Sequence, residues 1–410
     1  MSAVLERLLR YVRYDTQSDD TATTYPSTAK QLVLLEALRE ELRALGLADA
    51  SMDEFGYVMA TVPATTSRIV PTIGFIAHVD TSPEMSGTHV KPLVHAAYDG
   101  RDLVLPDAPG VVLRASEWPA LAARIGDDIV TASGTTLLGA DNKAGVAEIM
   151  TAVEHLVRHP EIPHGPIRVA FTPDEEVGRG TEHFDVARFG AAFAYTMDGG
   201  ARGHLECESF SADSVAITFR GFNTHPGYAK GRMVNAIKAA ADFIMRLPSD
   251  ALSPETTSGY EGFVHPNALE ASVDATTVRV LVRDFTDAGL HAKHALLKAC
   301  AEDTATRFGG MPVEIVVTEQ YRNMRSVIDA HPHVVEYARD AITRAGLTVH
   351  ERPIRGGTDG SRLSFMGVPT PNLFAGEQNF HSRLEWVSVQ DMEKAVEVIL
   401  HLVQIWHERA

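Results

Sequence analysis

The chain has 410 residues, with 54 acidic against 37 basic side chains and two cysteines. That length allows two or three domains with large cores, and a formal charge of −17 argues against nucleic acid or an anionic membrane as a partner, because both demand basic surface. Cys207 and Cys300 cannot form a disulfide framework or a cysteine-rich zinc site, and no apolar run reaches the ~18 residues of a membrane span, so a cytoplasmic protein is expected.

Met1 to Tyr14 mixes Glu6, Arg7, Arg10 and Arg13 with apolar residues, the pattern of an amphipathic helix rather than of a signal peptide. Helical spacing of Leu32, Leu35, Leu38, Leu42 and Leu45 predicts a helix over Thr28 to Leu45, stopped by Gly46. Tyr57 to Val62 reads as a short strand, and Ile69 to Val79 as a strand buried on both faces. Thr81 to about Asp128 is rich in Pro, Gly and Asp and reads as one long irregular stretch. A helix follows over Gly145 to Val157, then compact strands at Ile167 to Phe171 and Phe193 to Met197.

The middle of the chain changes character. Strand patterns at Ser214 to Phe219, near Gly262 to Val273, at Val278 to Phe285 and at Val313 to Thr318 enclose helices at Met233 to Leu247 and Leu290 to Phe308. This is a β-α-β-β-α-β unit. The α/β pattern resumes with a helix at His333 to Ala345, a strand near Asn372 to Phe374 and a final helix at Gln390 to His407. The fold class is therefore α/β with a largely parallel central sheet, formed by residues 1–210 and 321–410, carrying an inserted ferredoxin-like α+β domain at 211–320.

Chemistry gathers where strands end. His78 and Asp80 alternate out of the second strand to one side, and a metal-binding imidazole commonly gives its other N–H to a carboxylate. Asp141 stands before a helix, either as an N-cap or as a carboxylate with one oxygen for each of two ions. Asp174, Glu175 and Glu176 follow a buried strand directly; they form a solvated acidic turn, or they surround a dication that relieves their repulsion. Asp198 ends an apolar strand before two glycines, and His381 follows Gly376. Each has an ordinary structural reading alone. Together His78, Asp141, Glu176, Asp198 and His381 are two imidazoles and three carboxylates, most of them at the carboxyl edge of a parallel sheet, where such folds place their sites. That donor set suits two zinc ions per subunit, with manganese or cobalt as substitutes, held ~3.5–4 Å apart.

The segments Ile76–Pro83 (IAHVDTSP), Gly134–Gly145 (GTTLLGADNKAG), Arg168–Gly178 (RVAFTPDEEVG), His225–Gly227 (HPG) and Arg355–Ser361 (RGGTDGS) resemble the M20 family of dinuclear-zinc metallopeptidases. Within it they are most similar to the bacterial aminopeptidases of tripeptides, and the likeness runs from about Leu5 to Val403. The resemblance implies that residues 1–210 and 321–410 form a catalytic domain and 211–320 a lid and dimerisation domain. It implies His78 and Asp198 on one zinc, Glu176 and His381 on the other, and Asp141 bridging. It also implies Asp80 orienting His78, Glu175 as general base, and His225 stabilising the oxyanion from the partner subunit of a homodimer. Arg355 would grip the substrate carboxylate, with Arg283 and Asn323 as further substrate contacts. Asn142 departs from the pattern, which has a second Asp there. The activity implied is release of the N-terminal residue from short peptides, chiefly tripeptides. The rivals are a related carboxypeptidase, dipeptidase or N-acyl amino acid deacylase, and a non-catalytic peptide-binding relative.

Overall fold

The structure, a computed structural model, describes residues 2–410. By its internal contacts the chain divides into two units: the segment up to Cys207 with Met324–Arg352 and Thr358–Ala410, and Glu208–Asn323 with Pro353–Gly357.

The first unit is organised by an eight-stranded sheet in the order Ser51–Met52, Val58–Val62, Ile167–Thr172, Ile73–His78, Phe193–Gly199, Asn372–Phe374, His204–Glu206, His350–Glu351. Ile73–His78 is buried along its whole length and pairs in parallel with the strands on both sides. Asn372–Phe374 continues the parallel run beside Phe193–Gly199. These strands bring His78, Asp198 and the turn that follows Thr172 to one edge. Ile76 lies opposite Thr196, which brings His78 level with Asp198. The strand starts later than its apolar run suggested: Ile69 is 96% exposed, and Pro71 lacks the N–H a central strand needs.

The stretch between Thr81 and Asp128 is not wholly irregular. Leu93–His95 joins Ile129–Thr131, Trp386–Ser388 and Glu377–Gln378 in a second, antiparallel sheet. Strands of two or three residues carry no readable alternation, so the pattern missed them. This sheet matters because His381 sits in the hairpin between Glu377–Gln378 and Trp386–Ser388, and Asn379 and His381 turn that hairpin with positive φ.

The helix expected at Gly145 to Val157 is assigned over Ala140–Arg158, but Asp141 and Asn142 have non-helical dihedrals, so regular turns begin after them. No helix among the described residues is long and apolar enough to cross a membrane.

The second unit is a four-stranded antiparallel sheet in the order Phe263–Ala271, Ala275–Asp284, Ser211–Arg220, Val313–Tyr321. With helices Ala236–Arg246 and Asp287–Arg307, this is the ferredoxin-like arrangement. Val215, Ile217 and Phe219 alternate into a core shared with Phe243 and Leu297. Each fully buried side chain of this size contributes about 1.5–3 kcal/mol. Pro353–Gly357 belongs here despite its distance in sequence: Ile354 bridges to Ser209, and Arg355 bonds the Thr257–Glu261 loop.

Gly145 sets how closely the Ala140–Arg158 helix approaches the central sheet. A Cβ there would lie 2.0 Å from the Met197 carbonyl oxygen and 2.4 Å from Asn142 Oδ1. Gly145→Ala should force helix and strand apart at a cost of about 1–3 kcal/mol or more. Because Asp141 and Asp198 ride on those two elements, metal content should fall with the melting midpoint. Wild-type values of both would refute this account of the packing.

Candidate metal centre

Two overlapping donor groups stand at the carboxyl edge of the central sheet: His78, Asp141 and Asp198, and Asp141, Glu176 and His381. Within each group the ligand atoms lie within 4.8 Å of one another. His78 Nε2 is 3.0 Å from Asp141 Oδ1 and 3.3 Å from Asp198 Oδ1. His381 Nε2 is 2.8 Å from Glu176 Oε2 and 3.3 Å from Asp141 Oδ2. Asp141 therefore turns one oxygen to each group.

Asp80 is fully buried just past the strand end. Its two oxygens accept the backbone N–H groups of Glu175 (3.0 Å) and Glu176 (3.1 Å), and Oδ1 also lies 3.2 Å from His78 Nδ1. The Asp80 backbone carbonyl is 3.1 Å from the same nitrogen, so one residue holds the imidazole and, through its carboxylate, the turn carrying both glutamates. Asp174, the third acid of that turn, faces elsewhere: it accepts from the Ser27 backbone N–H and hydroxyl and from Gln31, with φ +58. It secures the N-terminal segment and is no part of the donor set.

Glu385 has no motif around it that would have exposed it in the sequence. It is 1% exposed and accepts from the backbone N–H groups of Leu138, Gly139 and Asp141 at 2.7–3.0 Å. It shapes the loop that presents Asp141. Asp359, also buried, accepts from the Thr172 hydroxyl at 2.7 Å, at the end of the strand that leads to the glutamates.

The electrostatics fit a cation. Burial pushes Glu175 well above the ordinary carboxylate range, and Asp198, Asp359 and Glu176 add to it. Burial, then the Asp141 charge, raises Glu176 to about 8. Burial opposes protonation of His381, yet Asp141 and Glu176 push it up to about 11; Asp198, Asp141 and Asp80 likewise hold His78 well above its usual value. These shifts favour the proton on the imidazoles and on Glu175 and Glu176, while Asp141 between the two imidazoles shifts the other way. Dications between these donors would displace those protons and satisfy the buried Glu176 Oε1, which has no hydrogen-bond partner.

The remaining expected residues lie in the second unit. His225 is exposed; its Nδ1 accepts from the Gly227 N–H at 3.1 Å, which leaves the proton of a neutral ring on Nε2. Arg355 Nη1 donates to the carbonyls of Gly259 (2.9 Å) and Glu261 (2.7 Å), and Nη2 to Thr257 Oγ1 (2.9 Å), while the guanidinium stacks on Phe210 and Phe263. Arg283 does not pair with Asp284, which binds Lys293 instead. It lies over the Tyr321 ring, 5.0 Å from the centroid, and its Nε and the Tyr321 hydroxyl are both buried without a hydrogen-bond partner. Burial alone lowers its pKa to about 10. Asn323 receives the Ser209 N–H on Oδ1 and donates to the Phe285 carbonyl, tying the ends of the unit together.

Comparison with known proteins identifies peptidases along the whole chain. Peptidase T of Geobacillus thermodenitrificans (strain NG80-2) is 50% identical over 406 residues, covering 99% of this chain and 98% of its own. Peptidase T of Caldanaerobacter subterraneus subsp. tengcongensis is 48% identical over 409 residues, covering all of both chains. Among solved structures, aminopeptidase PepT of Bacillus cereus superposes with a TM-score of 0.75 at 25% identity over 98% of each chain. A Staphylococcus aureus tripeptidase has the same fold, with a TM-score of 0.77 at 22% identity over 99% of this chain and 98% of that one. The pattern that defines Peptidase family M20/M25/M40 matches residues 113–405. The chain belongs to that family.

Proposed function

We propose that this chain is a two-zinc aminopeptidase that releases the N-terminal residue of short peptides, chiefly tripeptides, in the cytoplasm. One observation carries the reading: two donor groups share Asp141, and the turn holding Glu175 and Glu176 is locked on Asp80 beside them. Full-length identity near 50% to proteins named Peptidase T supports the substrate class. Cys207 and Cys300 are both thiols, in keeping with the compartment.

His78 and Asp198 would hold one ion and Glu176 and His381 the other, with Asp141 between them. Bound there, the pair of divalent ions supplies an acidified water and polarises the scissile carbonyl. Manganese or cobalt would fit the same nitrogen and oxygen donors. Glu175 takes the proton released by the attacking water and delivers it to the leaving amine, a role helped by the high proton affinity its burial gives it. Asp80 keeps Glu175 in place through its backbone and keeps His78 oriented. His225, with Nε2 as its donor, stabilises the oxyanion from the lid of a second copy in a homodimer.

Arg283 is the stronger candidate for the peptide carboxylate. A nearly buried guanidinium with no acidic partner among the described residues is costly unless a ligand supplies the charge, and a guanidinium fork matches a carboxylate. Arg355 already spends its donors on the Thr257–Glu261 loop and supports that site from behind its aromatic platform. Asn323 acts on the same site by closing the ends of the lid.

A substrate panel tests the activity. Zinc-loaded protein should cleave free tripeptides, with dipeptides slower, N-acetylated tripeptides uncut, and C-amidated ones cut with a KM raised at least tenfold. Turnover of the N-acetylated peptide would overturn the aminopeptidase reading in favour of a deacylase or carboxypeptidase.

Glu175→Gln should lower kcat by on the order of 10²–10⁴-fold while both metals stay bound. Loss of the metals instead would mean that Glu175 is a ligand.

Mixing inactive Glu175→Gln and His225→Ala chains should restore part of the activity, because a mixed dimer contains one intact set. Absence of rescue in a confirmed mixed dimer would place His225 in the site of its own chain.

A further inference from the structure

We propose that the second unit carries a divalent-metal site of its own, a histidine–carboxylate cleft that takes zinc or a neighbouring transition-metal ion. The cleft has a volume of about 460 Å³ and is lined by Asp213, Asp287, His291, His294, Glu319 and Arg322. Asp287, His291 and His294 are spaced i, i+4 and i+7 on the Asp287–Arg307 helix, so all three look out from one face. Asp213 comes from the middle of the sheet, on Ser211–Arg220, and is 1% exposed. Its Oδ2 stands 3.1 Å from His294 Nε2, yet that nitrogen makes no hydrogen bond of acceptable geometry.

Charge and donor type identify the ligand. Arg322 is shared between Asp213 Oδ1 (2.7 Å) and Glu319 Oε2 (2.7 Å). Three carboxylates face one guanidinium, which leaves a deficit of two positive charges and excludes an anion. Burial, the largest influence on His294, lowers its proton affinity despite Asp213, so the imidazole is a neutral donor rather than a counter-ion. An organic ammonium has no use for imidazole lone pairs, whereas zinc, cobalt and nickel do. The two imidazole centroids are 6.5 Å apart. Zn–N bonds of ~2 Å bring two ligating rings to roughly 5–6 Å between centres, a distance that a small rotation of the exposed His291 reaches. These donors are less tightly gathered than those of the first centre, so binding would draw the helix onto the sheet.

The test is a metal count on the full chain. Protein equilibrated by dialysis against zinc should hold one more zinc per chain than the His291→Ala/His294→Ala double variant, which keeps its peptidase activity. Asp287→Asn, an exposed change at the helix start, should weaken the same extra zinc without altering the count at low free zinc. Excess zinc should raise the melting midpoint of the wild type and not of the double variant. Equal zinc counts in wild type and both variants would overturn the proposal. Because the readout is a difference between chains, it does not depend on the outcome of the peptide panel.

Discussion

Repulsion among carboxylates at one edge of a parallel sheet is the constraint on which the rest of this structure depends. Asp80, Asp141, Glu175, Glu176 and Asp198 converge there, with Asp359 and Glu385 buried close behind. Such a cluster survives burial only if each oxygen is committed to something positive or to an N–H donor. Asp80 meets the rule with two backbone amides and Glu385 with three. Asp141, Glu176 and Asp198 instead turn oxygens to His78 and His381, and Glu176 Oε1 is left with no hydrogen-bond partner among the described residues. Fully bonded acids build the frame, and under-bonded acids supply the carboxylates of the candidate metal centre.

The same division explains what the sequence could and could not reveal. His78, Asp141, Glu176 and Asp198 were legible because each ends or follows a recognisable strand or precedes a helix, and strand ends are where open α/β sheets expose reactive groups; His381 was legible only as the member that completed the set. The ferredoxin-like insert was legible because its strands run nine or ten residues and its helices eleven and twenty-one. Glu385 was hidden because its work is done on backbone amides more than 240 positions away, a contact with no sequence period. Asp174 looked equivalent to its two neighbours, but a positive φ turns it away from them toward Ser27. The small antiparallel sheet that carries His381 was invisible for lack of length alone.

The two arginines of the second unit make the point in reverse. Motif position favoured Arg355, whereas bonding favours Arg283. Arg283, Ala212 and Tyr321 lie in one row across three strands, since Ala212 is opposite both others. The small Ala212 side chain lets the guanidinium cross to the Tyr321 ring, where no carboxylate among the described residues pairs with it. A charge that is buried and left without its partner is information about a ligand in a way that a fully bonded charge is not.

Asn142 extends this logic to a departure within the metal motifs. It is fully buried beside Asp141, and its Oδ1 accepts the Gly145 N–H at 3.1 Å, which caps the first regular turn of the helix. An aspartate would offer the same acceptor and add a like charge one residue from the carboxylate that both donor groups share. The amide keeps the cap and withholds the charge. Its cost is an Nδ2 buried without a partner, about 1–3 kcal/mol. Where five acids already compete for two imidazoles, that cost is comparable to the repulsion it removes, so an uncharged side chain holds the helix start and leaves the geometry of Asp141 intact.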